Sequence, residues 1–205
     1  MEHFIDPTYH TIFILRHGQT EWNLLDIRQG WMNSPLTEKG KQQARNNGKF
    51  LQNRGITHIF ASPLGRAIQT AEIIQQTLQV PITIIPEFKE VNFGDMEGTP
   101  LSEVPVKFAA ILEQRKRDKF NTRYPNGESY SDILERALEP MKKLLALGTT
   151  FAIVGHECMN RILRAIATGK PLKEAINDRQ RNDQIVEIDA KTLRETLHDI
   201  NEIDG

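Results

Sequence analysis

The 205-residue chain has one cysteine, Cys158, so a disulfide framework is excluded. A disulfide-stapled secreted scaffold is thereby ruled out, and the reducing cytoplasm is the expected compartment. Neither sign of charge dominates: 26 Lys and Arg stand against 27 Asp and Glu, for a net charge of −1. That balance gives no pull toward nucleic acid or an anionic membrane surface, and neither partner is expected. No apolar run approaches the ~20 residues of a membrane span. The opening segment MEHFIDPTYH carries acids, a proline and no apolar stretch, so it does not read as a signal peptide. Internal repeats and low-complexity tracts are missing. So is a Walker-type loop, which removes a nucleotide-style phosphate cradle. No His/Cys/Asp cluster has structural zinc spacing, and no metal or other cofactor is expected.

What remains is ordinary globular composition, 39% hydrophobic and 26% charged, in one chain long enough for a sizeable core. Short apolar runs alternate with helical patterns. Strands are predicted at 11–15, 57–62, 82–85 and 150–155. Helices are predicted at 36–55 (capped by Thr37 and closed by Gly55), 65–78, 129–147 and 158–168. Ser129 is the expected cap of the third helix and Pro140 an expected kink. Residues 183–189 and 192–200 read as a hairpin turning around Ala190 and Lys191. Such alternation predicts an α/β domain with a mainly parallel sheet covered on both faces. The stretch 94–124 breaks the rhythm and reads as a short inserted lid, with residues 1–205 forming a single domain.

In open α/β sheets, sites form beyond the carboxyl ends of the strands. The first strand is followed by Arg16, His17 and Gly18, the second by SPLGR ending in Arg66, the third by PEFKE ending in Glu90, and the fourth by His156. Four apolar strands thus deliver two arginines, two histidines and a carboxylate to one edge. Arginine's planar fork matches phosphate oxygens, and cations on both sides suit a dianion. The set points to metal-free phosphoryl transfer. One imidazole attacks phosphorus in line, the cations neutralise the equatorial oxygens, and a carboxylic acid protonates the leaving alkoxide.

The stretch LRHGQTEWN (15–23) resembles the signature of the histidine phosphatase superfamily, the phosphoglycerate-mutase-like proteins. RQGWMNSPLTEKGKQQA (28–44), ASPLGRAIQTAEII (61–74), EVNFGDMEG (90–98), YPNGES (124–129) and VGHECMNRIL (155–163) are similar to the family's other blocks, in order. The resemblance implies a three-layer α/β/α sandwich. It implies that His17 is the phosphorylated nucleophile and that Arg16, Arg66 and His156 hold the transferring phosphate. It further implies that Asn23 adds a donor and that Glu90 serves as proton donor and then as base.

Three positions depart from the family pattern. Glu157 follows the second histidine, where a small residue is usual. A carboxylate ~4 Å from phosphate would cost about 4 kcal/mol at an effective dielectric of 20, so it is expected to turn outward with only its N–H facing the anion. Turned inward, it would select a cationic substrate group. Asn33 and Met96 replace an aspartate and a tryptophan and are expected to lie away from phosphorus. The insert's Lys107, Arg115, Lys116, Arg117, Lys119 and Arg123 read as a solvated face, the rival being a lid that meets an acidic substrate. Cys158, Trp22 and Trp31 read as packing residues, and His3, His10, His58 and His198 receive no role. The expected activity is hydrolysis of a small phosphomonoester. A cofactor-dependent phosphoglycerate mutase is the nearest rival, disfavoured because family mutases have a longer insert and tail. A non-catalytic phosphate-binding protein on the same fold is the rival of another class. Neither substrate nor oligomeric state is legible.

Overall fold

The apolar run TIFILR becomes β1 (Thr11–Arg16), the backbone of a sheet buried on both sides. Ile12, Phe13, Ile14 and Leu15 are all at most 2% exposed, as a central strand covered by two layers requires. Their side chains alternate between two cores. Ile12 and Ile14 join one cluster, whereas Phe13 and Leu15 join the other. This computed structural model describes residues 10–200. Residues 1–9 and 201–205 lie outside the described part, and with them His3 and most of the segment read as lacking a signal.

Chain order after β1 is α1 (Glu21–Leu24), α2 (Glu38–Leu51), β2 (His58–Ala61), α3 (Gly65–Leu78), β3 (Ile82–Ile84), α4 (Val104–Lys107) and α5 (Ala109–Arg117). Then come α6 (Tyr130–Leu145), β4 (Phe151–Gly155), α7 (Glu157–Thr168), α8 (Leu172–Ala175), β5 (Gln184–Asp189) and β6 (Glu195–Asp199). The six strands order as β3-β2-β4-β1-β5-β6. Strands β3, β2, β4 and β1 run parallel, and β5 and β6 add an antiparallel hairpin. One face carries α2 and α3, with Leu51, Ala67, Ala71 and Ile74 in its core. The other carries α6 and α7, with Ile133, Ala137, Met141, Met159 and Ile162. The expected three-layer α/β/α arrangement is what forms.

Register places the site. Arg16 lies opposite Gly155 across the β1–β4 pair. The residues that follow, His17 and His156, therefore leave the sheet at the same edge. The His17 N–H still donates to Gly155 O (3.0 Å), extending the ladder to the point where the chain turns away.

Thr37 caps α2 by accepting from the Gly40 N–H, and Ser129 forms a capping box with Asp132 at the start of α6. The α6 helix continues through Pro140 to Leu145. The predicted 36–55 helix is shorter in fact, ending at Leu51, and Gly55 lies beyond it. The short helices α1 and α8 were not anticipated. The segment 94–124 holds a 3-10 turn (Gly94–Met96), α4 and α5. Its basic residues divide. Lys107, Lys116 and Arg123 pair with Glu103, Glu113 and Asp132 at the surface. Arg115 instead is buried, donates to Thr122 O and lies 3.8 Å over the Tyr124 ring. Lys119 turns toward the cavity at the sheet edge. Met96 is fully buried in the core.

Candidate active site

A cavity of about 550 Å³ opens beyond the carboxyl ends of β1 and β4. Arg16, His17, Asn23, Arg66, Glu90 and Glu157 all line it. The seventh predicted residue, His156, is fully buried beside His17, with ring centroids 5.2 Å apart.

His17 Nδ1 lies 2.8 Å from Gly18 O. A carbonyl only accepts, so Nδ1 carries the proton and Nε2 keeps its lone pair. Burial drives the His17 pKa well below its ordinary value, and the Arg66 and Arg16 guanidinium groups push it further down. The imidazole is therefore neutral, as a nucleophile needs. His156 is depressed for the same reasons, burial first and then Arg66 and His17. Its Nε2 lies 2.7 Å from Ser62 Oγ, and its buried Nδ1 has no hydrogen-bond partner among the described residues.

Arg66 reaches back from the first turn of α3. Its guanidinium donates to Met32 O (2.8 Å) and Gly30 O (2.7 Å). Burial lowers its pKa to about 10, so it stays charged at neutral pH. Asn33 Oδ1 accepts from the Arg66 backbone N–H (3.1 Å). Asn33 thus holds the start of α3 and acts one step away from the cavity.

Glu90 sits against the N-terminus of α7. Its Oε1 accepts from the N–H groups of Val91 (2.8 Å) and Met159 (3.1 Å), and its Oε2 from that of Cys158 (3.2 Å). The Cys158 and Met159 N–H groups are two of the orphan donors at the start of α7, and with that of Val91 they fix the carboxyl in place. Its own carbonyl accepts from Trp31 Nε1 (2.8 Å) and Arg136 (3.0 Å). Trp31 therefore does more than pack. Asn23 Oδ1 accepts from the Thr20 N–H, closing a capping box, which leaves the amide NH₂ as its free end.

Glu157 departs from expectation. Its side chain turns in, because two cations hold it there: Oε2 lies 3.0 Å from Arg16 and Oε1 2.6 Å from Arg161. Each oxygen is thereby engaged by a cation of the protein itself. Sequence reasoning priced the carboxylate against a phosphate and missed Arg161, one helical turn on. The i, i+4 spacing from Glu157 to Arg161 was the available signal. Also missed were Arg28, Arg179 and two tyrosines, Tyr124 and Tyr130, all of which line the cavity. None follows a strand directly, so the strand-end rule could not find them. Cys158 is packed as expected. Burial pushes its thiol up to about 12, and Tyr130 Oη donates to its Sγ (3.3 Å). His58 and His198 lie elsewhere, bonded to Thr83 and Glu187.

The histidine phosphatase superfamily (branch 1) matches residues 12–203. The chain belongs to that family. An Erwinia tasmaniensis protein named "probable phosphoglycerate mutase GpmB" is 33% identical over 180 residues, 87% of this chain and 84% of that one. Among solved structures, Bacillus stearothermophilus YhfR is 31% identical with a TM-score of 0.77, covering 90% of this chain and 94% of that one. The alpha-ribazole phosphatase from Shigella flexneri is 26% identical with a TM-score of 0.81, covering 94% and 96%. Histidine phosphatase superfamily members thus resemble this chain over nearly its whole described length.

Proposed function

We propose that the protein hydrolyses a small phosphomonoester through a phosphohistidine on His17, without a metal ion. One observation carries this reading. The neutral His17 Nε2 is the free imidazole nitrogen in a cavity whose walls hold Arg16 and Arg66. In the first step Nε2 attacks phosphorus as the bond to the leaving oxygen breaks. Arg16, Arg66, Asn23 and His156 balance the charge on the phosphoryl oxygens, a task cations perform strongly in a site shielded from water. Glu90 gives its proton to the leaving oxygen. In the second step Glu90 takes a proton from water, the hydroxyl attacks phosphorus, and the P–N bond breaks to release phosphate and restore His17. Glu157 adjusts the charge of Arg16. The segment 94–124 serves as the wall, or lid, over the site.

Phosphate release from p-nitrophenyl phosphate, sugar phosphates, nucleotides, phosphoamino acids and 3-phosphoglycerate, measured with EDTA present, tests the reading. Wild type should release phosphate and His17→Ala should lose at least about a thousand-fold, the scale for removing a covalent nucleophile. Full activity in His17→Ala would falsify the mechanism.

A mutase is the second reading, favoured by the name of the Erwinia relative. Both reactions share the first step and differ in whether an alcohol or water takes the phosphoryl group. Interconversion of 2- and 3-phosphoglycerate outpacing phosphate release, in the presence of a bisphosphate primer, would select it.

A further inference from the structure

The strand end that carries His17 is gripped by side-chain amides. Each residue from Ile14 to His17 is touched by Asn160, Gln180 or Asn182. Gln180 Nε2 donates to Ile14 O (2.8 Å) and to Gln184 O (3.1 Å). Asn160 Nδ2 donates to Leu15 O (3.0 Å) and to Gln180 Oε1 (2.9 Å). The Gln180 carbonyl accepts from the Arg16 guanidinium (3.2 Å), and Asn182 Nδ2 donates to His17 O (2.6 Å). Gln180 and Asn160 are at most 1% exposed. The segment bearing Gln180 and Asn182 is tied to α7 in turn, since Arg161 Nε donates to Asp178 O (2.6 Å).

Side-chain amides that bond buried backbone are common in any core. These differ in where they gather. They fall on the run that ends in the proposed nucleophile, and Asn182 grips the carbonyl of His17 itself. All three side chains are neutral, so they fix the backbone without adding charge beside Arg16 and Arg66. The pairing of β1 with β5 reaches only to Leu15, opposite Ile185. Past that point, on the β5 side, the ladder no longer sets where the main chain lies, and Gln180 O and Asn182 take over the task. Precision matters there, because misplacing an attacking atom by about 1 Å costs on the order of a hundred-fold in rate.

We infer that Asn182 and Gln180 are positioning residues: Asn182 holds the His17 backbone so that Nε2 meets phosphorus in line, and Gln180 holds the loop whose carbonyl aims Arg16. This rests on the proposed reading of His17 as the nucleophile. The two tasks are separable. Asn182 acts through the group that forms the new bond, whereas Gln180 acts through a group that also binds phosphate in the ground state. Loss of Asn182 should therefore harm what is made only in the transition state, and loss of Gln180 should harm anion binding as well.

Orthovanadate and inorganic phosphate separate positioning from binding. The cations hold both, but vanadate expands to five-coordination by taking His17 Nε2 as a ligand, so it reports where that nitrogen lies. Calorimetry gives the affinity for each anion, and p-nitrophenyl phosphate turnover gives kcat and KM, for wild type and two variants. Asn182→Leu should lose about ten-fold or more in vanadate affinity and in kcat, with phosphate affinity and KM within about three-fold, the scale of one lost hydrogen bond. Gln180→Met should weaken both anions together. Asn182 is only half-buried, so its variant should fold; if Gln180→Met does not, Asn182→Leu decides alone. An unchanged vanadate-to-phosphate ratio in Asn182→Leu overturns the inference, as does a wild type that binds both anions alike. A folded Gln180→Met that binds both normally removes Gln180 from it. Selective loss of vanadate without turnover in wild type would sink hydrolysis and leave the positioning role standing. Turnover in wild type with the ratio unchanged in Asn182→Leu would do the reverse.

Discussion

At the residue scale, Glu157 is the most informative position. A carboxylate beside the proposed phosphoryl site would oppose the ligand, yet this one is tied to Arg16 at 3.0 Å and Arg161 at 2.6 Å. Its Coulomb cost is met by those partners, and its effect falls on Arg16. An arginine already paired has less to offer an incoming dianion. Glu157→Gln keeps the shape and removes the charge. Inorganic phosphate and orthovanadate should then inhibit more tightly, by about three- to ten-fold for a partly exposed pair. Unchanged inhibition constants would show that Arg16 is not held back by Glu157. Asn33 gives the converse lesson. Its amide oxygen accepts from the Arg66 backbone N–H, a capping task that aspartate performs as well. The replacement seen in the sequence is thus explained without involving phosphorus.

At the element scale, the loop carrying His17 is positioned by backbone contact. Gly18 and Gly40 face each other so closely that a Cβ on Gly18 would collide with Gly40 O, and a Cβ on Gly40 with Gln19 O. Helix α2 therefore sits directly against the strand-to-helix turn that presents the imidazole. Gly40→Ala cannot be absorbed by a rotamer change, since the neighbour is main chain. It should destabilise the protein by about 1–3 kcal/mol, read from denaturant midpoints, and lower turnover by moving His17. Normal stability and normal turnover in Gly40→Ala would show that the contact relaxes freely. Long periodic elements such as α3 and α6 were legible, because an apolar face over three or four turns survives any tertiary context. The ends were less so. Helix α2 stops at Leu51 although its pattern reads on to Gly55: Gln52 leaves the helix with an extended ψ of 138°, and Asn53 follows with a left-handed φ of 63°. Short helices such as α1 carry too few residues to show a period at all.

At the scale of the whole molecule, the predicted residues converge because parallel strands point the same way. That rule found Arg16, His17, Arg66, Glu90 and His156 from position alone, and the structure brings all five together. It could not find Arg28, Lys119 or Arg179, which reach the cavity from loops and the insert, where sequence spacing carries no direction. Convergence has a thermodynamic consequence. His17 and His156 are buried among arginines and hold pKa values well below the ordinary histidine value near 6.5. In the unfolded chain both recover that ordinary value. Between the folded and unfolded values the unfolded state binds more protons, so unfolding is favoured as pH falls. The stabilising contribution is present above about pH 6.5 and is lost progressively on acidification below it. Denaturant midpoints measured from pH 7.5 down to pH 5 should therefore fall, and His156→Gln, which cannot take up a proton, should show a shallower fall. A variant whose midpoints track wild type across the whole range would mean that the buried imidazole takes up its proton without unfolding, against the low pKa that Arg66 and burial impose.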